Sequence, residues 1–258
     1  RDYGNELPRS PATRPLEAVA QLVARPGFRI EVVAAEPLVE DPVAMAFDEN
    51  GRVYVCEMPE YNQYANTSFR GKGRVRLLED SDGNGVFDRS RIFADGVDSP
   101  TAVACWKGGV FVTAPPDLWY LKDTDGDHKA DVRRKVFTGF GVINAEQLAN
   151  NLKWGIDNRI YGAASHSGGS IRPADDPSAK PISISSSDFC FDPRTNKFAA
   201  LSWAPSRWGN SFDDAYNRFV CQNTGPARHV VLPRRYLARN PYLRVQSVYE
   251  SLAKEGGT

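Results

Sequence analysis

An all-β fold of the β-propeller type is predicted by two features of the sequence. A unit of strand, acidic turn and strand occurs twice, with its loops at 80–88 and 123–131, and apolar hairpins recur around Asn- and Gly-containing turns. Repeats of this length are typical of propeller blades, so we expect a six-bladed type of ring with about four blades in this chain.

Bulk composition excludes two classes of partner. The chain of 258 residues contains 32 Lys plus Arg and 32 Asp plus Glu, which gives no electrostatic basis for binding nucleic acid or an anionic membrane. No segment approaches the roughly 18–20 apolar residues of a membrane span. Because the sequence starts at Arg1 rather than Met, we expect a processed or trimmed chain.

The blades can be laid out from alternating apolar residues. Inner hairpins of strands A and B are expected at 42–57, 100–113, 151–163 and 208–221. Strands C and D are expected at 74–79 with 90–94, 118–122 with 134–137, and 188–192 with 197–202. In the fourth blade strand C is expected at 228–232, after which the pattern is lost.

The predicted domain boundaries follow from this layout. We expect a partly extended arm at 1–27, blades of an incomplete ring at 28–235, and a C-terminal segment at 236–258 that leads to missing blades. The segment 28–35 is expected to be an isolated strand that serves as the outer strand of the final blade, and 245–254 a short helix. Six blades would need roughly 80–100 further residues. We therefore expect that the chain is a fragment, or that other segments cover the strand edges at its two ends.

The four cysteines, Cys56, Cys105, Cys190 and Cys221, stand singly in apolar strand-like runs. The favoured interpretation is four small buried hydrophobic side chains, and the alternative is a disulfide between neighbouring blades. No Cys-x-x-Cys-His motif for covalent haem occurs.

The two acidic loops are predicted to bind calcium as structural sites. Oxygen ligands at alternate positions, with a backbone carbonyl at the seventh, suit a hard cation. The expected ligands are Asp80, Asp82, Asn84, Val86 and Asp88 in one loop and Asp123, Asp125, Asp127, Lys129 and Asp131 in the other. The alternative is a solvated turn. Arg91 and Arg134 stand at the twelfth position, which disfavours a calcium sensor of the helix–loop–helix type.

Strand direction assigns the loops to two ends of the propeller. Loops A–B and C–D share one end, here called the lower face, and loops B–C and D–A share the other, the upper face. Both acidic loops join strands C and D and are therefore expected on the lower face. The longest and most chemically varied loops are expected on the upper face, where we place the candidate functional site.

Candidate site residues are taken from the upper-face loops and the ends of neighbouring strands. His166 is a candidate general base, although an exposed loop histidine without chemistry is the alternative. Arg207 and Arg228 are candidates for stabilising negative charge. Candidate cofactor-binding residues are Glu57, Tyr61, Asn144, Gln147, Asn223 and His229. For Glu57 and Tyr61 an acid–base role and a pocket wall both stay open, and His229 can equally be a plain strand residue.

Five segments carry a family resemblance over about residues 15–250: 26–37, 41–48, 74–88, 150–155 and 236–241. They include Arg-Val-Arg-Leu-Leu-Glu-Asp-Ser-Asp-Gly-Asn-Gly-Val-Phe-Asp and Asn-Asn-Leu-Lys-Trp-Gly. On these residues the chain resembles the N-terminal propeller of membrane-bound dehydrogenases found in planctomycetes and verrucomicrobia. Those proteins are similar to soluble quinoprotein glucose and sorbosone dehydrogenases, which are TolB-like in blade number.

The resemblance implies an extracytoplasmic dehydrogenase of sugars or polyols that uses calcium and pyrroloquinoline quinone. It also implies a downstream haem or cytochrome domain as a partner, and a location in the periplasm or at the cell surface. The alternative function is a non-catalytic binding module that recognises a glycan or protein through Tyr61, Tyr64 and Trp208. A fold of this kind hosts many functions, so the residues of the site have to decide between the two.

Overall fold

The computed structural model describes residues 11–59, 61, 73–201, 206–223, 225–240 and 242–253, and these form four antiparallel sheets. Each sheet contains a four-stranded meander, which is the architecture of a propeller blade. The innermost strand of each blade contacts the innermost strand of the next. The predicted all-β propeller fold is confirmed.

The strands agree with the predicted layout for most of the chain. The first blade consists of β1 (Pro42–Phe47), β2 (Val53–Glu57), β3 (Arg74–Glu79) and β4 (Arg89–Ala94). The second consists of β5 (Ala102–Trp106), β6 (Gly109–Ala114), β7 (Asp117–Lys122) and β8 (Val132–Phe140). The third consists of β9 (Asn150–Trp154), β10 (Ile160–Ala163), β13 (Phe189–Asp192) and β14 (Lys197–Ala200). The fourth consists of β15 (Gly209–Phe212), β16 (Arg218–Cys221), β17 (Arg228–Val230) and β18 (Tyr249–Ser251).

An inserted hairpin between the second and third strands of the third blade was not predicted. It consists of β11 (Gly169–Pro173) and β12 (Ile182–Ser183). β11 pairs with β8, so the hairpin extends the sheet of the second blade to six strands. The hairpin therefore covers the outer edge of that blade, which would otherwise offer unpaired backbone groups.

Apolar cores fill the first two contacts between blades. Tyr54, Cys56 and Leu77 of the first blade pack with Val110 and Leu121 of the second. Between the second and third blades lies a cluster of aromatic rings that includes Phe111, Phe137, Phe189 and Phe191. The rings of Phe111 and Phe191 meet edge to face with centroids 5.1 Å apart, which is a favoured geometry for aromatic pairs.

The segment Phe28–Ala35 is not a strand, contrary to prediction. Its backbone makes one hydrogen bond to the first blade, from the Phe87 N–H to the Val33 carbonyl at 2.9 Å, and Phe28 is exposed. Ala34, Leu38 and Val39 pack instead on Val53, Val55 and Leu78, on the face of the first blade that turns away from the second. Apolar packing, rather than a ladder of hydrogen bonds, holds this segment.

The predicted helix at 245–254 is also wrong for the described residues. Tyr249–Ser251 forms β18 and pairs with β17, which gives the fourth blade the outer strand that the sequence pattern did not reveal. The boundaries predicted at 27/28 and 235/236 stay predictions.

The helices are short. They are α1 (Pro15–Ala20), α2 (Arg234–Leu237) and a single 3₁₀ turn, Ala145–Gln147. In the described part of the chain, no helix has the length and apolar character needed to cross a membrane.

All four cysteines are free thiols, as the favoured interpretation expected. Cys56 and Cys190 are buried, and Cys105 and Cys221 are partly buried. Burial raises the pKa of Cys56, and it raises the pKa of Cys105 to about 12. These thiols therefore act as small core residues rather than nucleophiles.

Candidate functional site

Two of the three predicted catalytic residues meet on the upper face. Nη2 of Arg207 lies 2.9 Å from Nε2 of His166. His166 is exposed, whereas Ser165 and Ser167 on either side of it are buried. Ser165 has a φ of 54°, a left-handed conformation that non-glycine residues seldom adopt outside constrained sites. The loop after β10 therefore presents the imidazole to solvent beside the guanidinium.

The carboxylate of Asp188 holds this pair together from beneath. Its Oδ1 accepts from the Ala164 N–H at 3.0 Å and from the Ser206 N–H at 3.0 Å, and its Oδ2 accepts from the Ser206 hydroxyl at 2.9 Å. Arg218 forms an ion pair with the same carboxylate, which has no exposed surface. Because Ala164 begins the loop of His166 and Ser206 precedes Arg207, one buried anion fixes both segments.

The sequence analysis did not find Asp188 as a site residue. It had placed Asp188 at the start of a strand, where a polar residue is unremarkable. Its partners lie 18 to 30 positions away along the chain. The spacing of Asp188 and its partners along the sequence therefore gave no indication that they meet.

A cavity of about 330 Å³ lies on the inner side of the blades. Its volume falls within the range of small-molecule sites. Strands β1, β5 and β9 line it, together with upper-face residues that include Tyr61, Glu146 and Trp208. Trp208 follows Arg207 directly, and its indole N–H donates to the Glu146 carbonyl at 3.1 Å. Arg207 is thus the chain neighbour of a residue that lines this cavity, whereas Arg207 and His166 themselves are not part of its lining.

A buried polar atom without a partner marks the cavity wall. Asn151 lines the cavity, and its Nδ2 donates to the Trp208 carbonyl at 2.9 Å. Its Oδ1 is buried and accepts no hydrogen bond from the described residues. Buried acceptors normally have a donor, so this oxygen is suited to a hydroxyl or amino group of a ligand.

The structure separates the remaining candidates. Arg228 is buried in the fourth blade, where Nη1 donates to Gln222 Oε1 at 2.8 Å and the guanidinium covers the ring of Tyr249 at 4.5 Å. Asn223 is exposed in the turn after β16. His229 stacks on Phe219 and lines a different cavity, described below.

Two other candidates shape the loop before β9. Asn144 accepts from the Glu146 N–H at 2.9 Å and so caps the 3₁₀ turn. The Gln147 carbonyl accepts from the Ser167 N–H at 3.2 Å. These residues therefore support the His166 loop through backbone and capping contacts. Tyr61 lines the cavity, and Tyr64 lies outside the described residues.

Glu57 belongs to a buried ion pair and does not form an open wall of the site. Its carboxylate accepts from the Glu40 N–H at 2.7 Å, from Arg76 at 2.8 Å and from Arg74. Its exposed fraction is 0%, so no oxygen is left for a cofactor. The signal that could have shown this is the Arg-Val-Arg pattern of β3, because Arg74 and Arg76 project from one face beside Glu57.

The two acidic loops fold alike, as the repeat predicted. In the first, Asp80 accepts from the N–H groups of Gly83 at 2.8 Å and Gly85 at 2.8 Å. In the second, Asp123 accepts from those of Gly126 at 2.7 Å and His128 at 2.9 Å. His128 takes the place of Gly85 with a φ of 67°, so the histidine adopts the bend that a glycine makes elsewhere.

Hydrogen bonds keep these carboxylates ionised. The backbone N–H of Gly85 is the largest influence that lowers the pKa of Asp80, and the Ser81 hydroxyl does the same for Asp88. Desolvation opposes the shift at Asp123, yet the N–H groups of Gly126 and His128 outweigh it and lower the pKa. The Thr124 N–H lowers the pKa of Asp131.

Three carboxylates of the second loop converge. Oxygen atoms of Asp123, Asp125 and Asp131 all lie within 4.8 Å of one another, and among the described residues this is the one such group of three. Anions this close repel each other unless a cation lies between them. Asp127 and the carbonyl of Lys129 belong to the same turn, in which Asp127 accepts from the Lys129 N–H at 2.8 Å.

Residues 14–257 match a family model described as "Domain of unknown function (DUF7133)". The match spans nearly the whole chain, and the chain belongs to this family. No curated protein sequence matches it significantly.

Solved structures match at low identity. The holo PQQ domain of pyranose dehydrogenase from Coprinopsis cinerea is 13% identical with a TM-score of 0.48, over 88% of this chain and 51% of that one. A Trichoderma reesei structure of Carbohydrate-Active Enzymes Family AA12 is 15% identical with a TM-score of 0.43, over 92% and 68%. A PL25 ulvan lyase is 9% identical with a TM-score of 0.34, over 72% and 50%. The chain spans about half the length of the first of these structures.

Proposed function

We propose that this chain forms a quinoprotein-like dehydrogenase centre that oxidises a hydroxyl group of a sugar or polyol on the upper face. One observation carries the proposal, the 2.9 Å contact between Nε2 of His166 and Nη2 of Arg207 at an exposed loop. An imidazole in reach of substrate is the usual general base, and a guanidinium beside it provides a fixed positive charge.

The contact defines the protonation of the imidazole. A guanidinium has only donors, so Nε2 must accept, and the proton of the neutral ring is on Nδ1. A substrate hydroxyl that takes the place of Arg207 at Nε2 can give its proton to this nitrogen. The guanidinium released in this exchange can then turn to a neighbouring negative charge.

The residues around the pair fit a flat, anionic cofactor. Trp208 is 44% exposed beside Arg207 and lines the cavity, so one aromatic ring is available for stacking. Lys153 in the cavity lining supplies positive charge, Arg207 stands beside Trp208, and the Oδ1 of Asn151, which has no donor among the described residues, supplies an acceptor. Arg207, Trp208 and Asn151 would hold pyrroloquinoline quinone, which would supply a hydride acceptor for the alcohol carbon, and His166 would take the hydroxyl proton.

The acidic loops fit calcium as structural ions. The three converging carboxylates of the second loop and the carbonyls of Val86 and Lys129 offer the oxygen ligands that calcium prefers. The loops lie on the lower face because they connect the third strand of a blade to the fourth, away from His166. In this proposal calcium stabilises two turns and takes no part in the reaction.

Location and partners follow from the same proposal. Weak calcium sites are filled where calcium reaches millimolar levels, which favours the periplasm or the cell surface. The electrons taken from the substrate need an acceptor, and we propose a haem-bearing cytochrome domain associated with the membrane.

The test is turnover after addition of quinone and calcium. We expect a change in quinone absorbance on binding and sugar-dependent reduction of a dye. H166Q is expected to reduce turnover by about 100-fold or more, the scale of a lost general base. R172Q, at an exposed position of β11, is the control and should retain activity. Ligand binding without turnover in the unaltered protein would favour the binding module instead.

A further inference from the structure

The contact between the third and fourth blades differs from the other two. A cavity of about 700 Å³ lies between these blades, where the first two contacts have apolar cores. Its lining comes from β10, β13 and β14 on one side, from the fourth blade on the other, and from α2. A cleft of this size is large enough for a small molecule.

Positive charge lines this cleft. Arg159, Arg218, Arg234 and Arg235 all lie in its wall, and Asp157 is the acidic residue among the lining groups. Arg159 lies 3.8 Å from Asp157, and Arg218 pairs with the buried Asp188. Arg234 and Arg235 make no ion pair with any described carboxylate, so both can attract an anion. The Arg235 guanidinium also donates to the Tyr236 hydroxyl at 3.3 Å and lies over that ring at 5.0 Å.

His229 adds a third group to this cationic side. It stacks on Phe219 with ring centroids 5.2 Å apart, and neither ring nitrogen makes a hydrogen bond to the described residues. The sequence analysis expected His229 to contact an anionic cofactor on the upper face. The structure places it in this cleft, beside α2 instead.

Tyrosine hydroxyl groups form a chain across the cleft, from the fourth blade to the third. The Tyr216 hydroxyl donates to the Tyr161 hydroxyl at 2.6 Å, which donates to Asp157 at 2.9 Å. Phe212 and Tyr216 are stacked with centroids 4.9 Å apart. Burial raises the pKa of Tyr216 to about 12, so its hydroxyl stays neutral. The cleft thus combines flat rings, neutral hydroxyl groups and two guanidinium groups, those of Arg234 and Arg235, that form no ion pair with the described carboxylates.

We propose that this cleft is a second binding site, for an acidic sugar whose negative group is held by Arg234, Arg235 and His229. Guanidinium groups bind carboxylate and sulfate oxygens with two parallel hydrogen bonds. Phe212 and Tyr216 stack on each other, so only an outer face of this pair can pack on the apolar face of a pyranose. The Tyr161–Tyr216 chain suits the hydroxyl groups of the sugar. The site is separate from His166, because the loops of Asp157 and Tyr216 connect first and second strands and lie on the lower face.

Calorimetric titration with three sugars tests the proposal. Glucuronate and glucose 6-sulfate are expected to bind, with affinity that falls as salt is added, and glucose should bind at least about tenfold more weakly. The two acids distinguish a carboxylate from a sulfate ester as the bound group. Binding of glucose as tight as that of both acids would overturn the proposal.

Variants locate the bound acid. R234A/R235A removes two exposed side chains, so folding should be retained, and both acids should bind at least about tenfold more weakly. R172A/K180A removes two exposed charges from the inserted hairpin and should bind as the unaltered chain does. Undiminished binding by R234A/R235A would contradict the site. H166Q should leave binding unchanged, and loss of binding in H166Q would place the acid on the upper face, which also contradicts it.

Discussion

Arg207 and His166 meet through their side-chain nitrogens at 2.9 Å, although 41 positions separate them along the chain. His166 belongs to the loop after the second strand of the third blade, and Arg207 to the segment that enters the fourth. The buried carboxylate of Asp188 accepts backbone N–H groups from both segments. The exposed His166 and the partly exposed Arg207 are thus held by one buried anion.

Replacing Arg207 should impair the proposed reaction without unfolding the protein. Arg207 is partly exposed, so R207A removes a charge from the surface of the upper-face site rather than from an apolar core. We expect kcat/KM for sugar to fall by about 10- to 100-fold, because the imidazole of His166 loses the neighbour that positions it. R207K, which keeps the charge but not the fork of donors, should lie in between. Wild-type kinetics in R207A would exclude Arg207 from the site.

D188N should affect both stability and turnover. It leaves Arg218 buried without an anion, and breaking a buried ion pair typically costs about 3–5 kcal/mol. Turnover of the folded fraction should fall, with the larger loss in kcat, because the segments of His166 and Arg207 lose their shared anchor.

E57Q is the matched comparison for D188N. It breaks another buried ion pair, between Glu57 and the arginines of β3, and should lower stability by a similar amount. Because that pair lies in the first blade, kcat should be preserved below the melting temperature. Equal loss of kcat in both variants would show that the effect of D188N is stability alone.

Calcium should raise the melting temperature through the second acidic loop. A ligand present at about 100 times its Kd stabilises the folded state by about 2.7 kcal/mol, and a chain of this size shifts by roughly 2–4 °C per kcal/mol. Scanning calorimetry with calcium and with a chelator measures the shift. D125N should reduce it, whereas D175N, an exposed position in the inserted hairpin, should not. An identical melting temperature with calcium and chelator would show that the loops are solvated turns.

Acid pH should abolish the contribution that Asp192 makes to the stability of the folded protein. Hydrogen bonds from Arg194 lower the pKa of Asp192 to about 2, below the ordinary value of 3.8. A depressed carboxyl pKa stabilises the folded state fully above the ordinary value, and this contribution is lost as pH falls to about 2. Urea unfolding of the wild type and D192N should therefore differ most at neutral pH and converge near pH 2. A constant difference across that range would contradict the assignment.

The buried thiols should react slowly in the folded protein. Burial raises the pKa of Cys56, Cys105 and Cys190, so few thiolates exist at pH 8. Ellman's reagent should react rapidly with all four thiols only after unfolding in guanidinium. Four rapid reactions in the native chain would contradict this packing.

The fold could be predicted because local sequence patterns indicate its strands and turns. Alternating apolar residues and turn residues such as Asp48 and Gly51 mark the strand pairs of the first two blades. Strand β18 was not predicted because Tyr249–Ser251 is too short to show an alternation of apolar and polar residues. Its pairing with β17 depends on tertiary contact. Segment 28–35 alternates like a strand, but it packs on the first blade through side chains and lacks a ladder partner.

The site could be predicted only in part. His166 and Arg207 were recognised as residues suited to chemistry, but their contact depends on how the third and fourth blades meet. The burial of Glu57 was not predicted because it depends on Arg74 and Arg76 of β3, which lie 17 and 19 positions further along the chain. Asp188, Arg234 and Arg235 were missed because their roles come from a buried network and a cleft between blades.

A crystal structure of the chain soaked with pyrroloquinoline quinone and calcium tests the central claim most directly. The account predicts density for the quinone on the upper face, in contact with Arg207 and next to His166, and calcium at the Asp123 loop on the opposite face. Quinone density in the cleft between the third and fourth blades, or no quinone density after a soak in excess quinone, would contradict it.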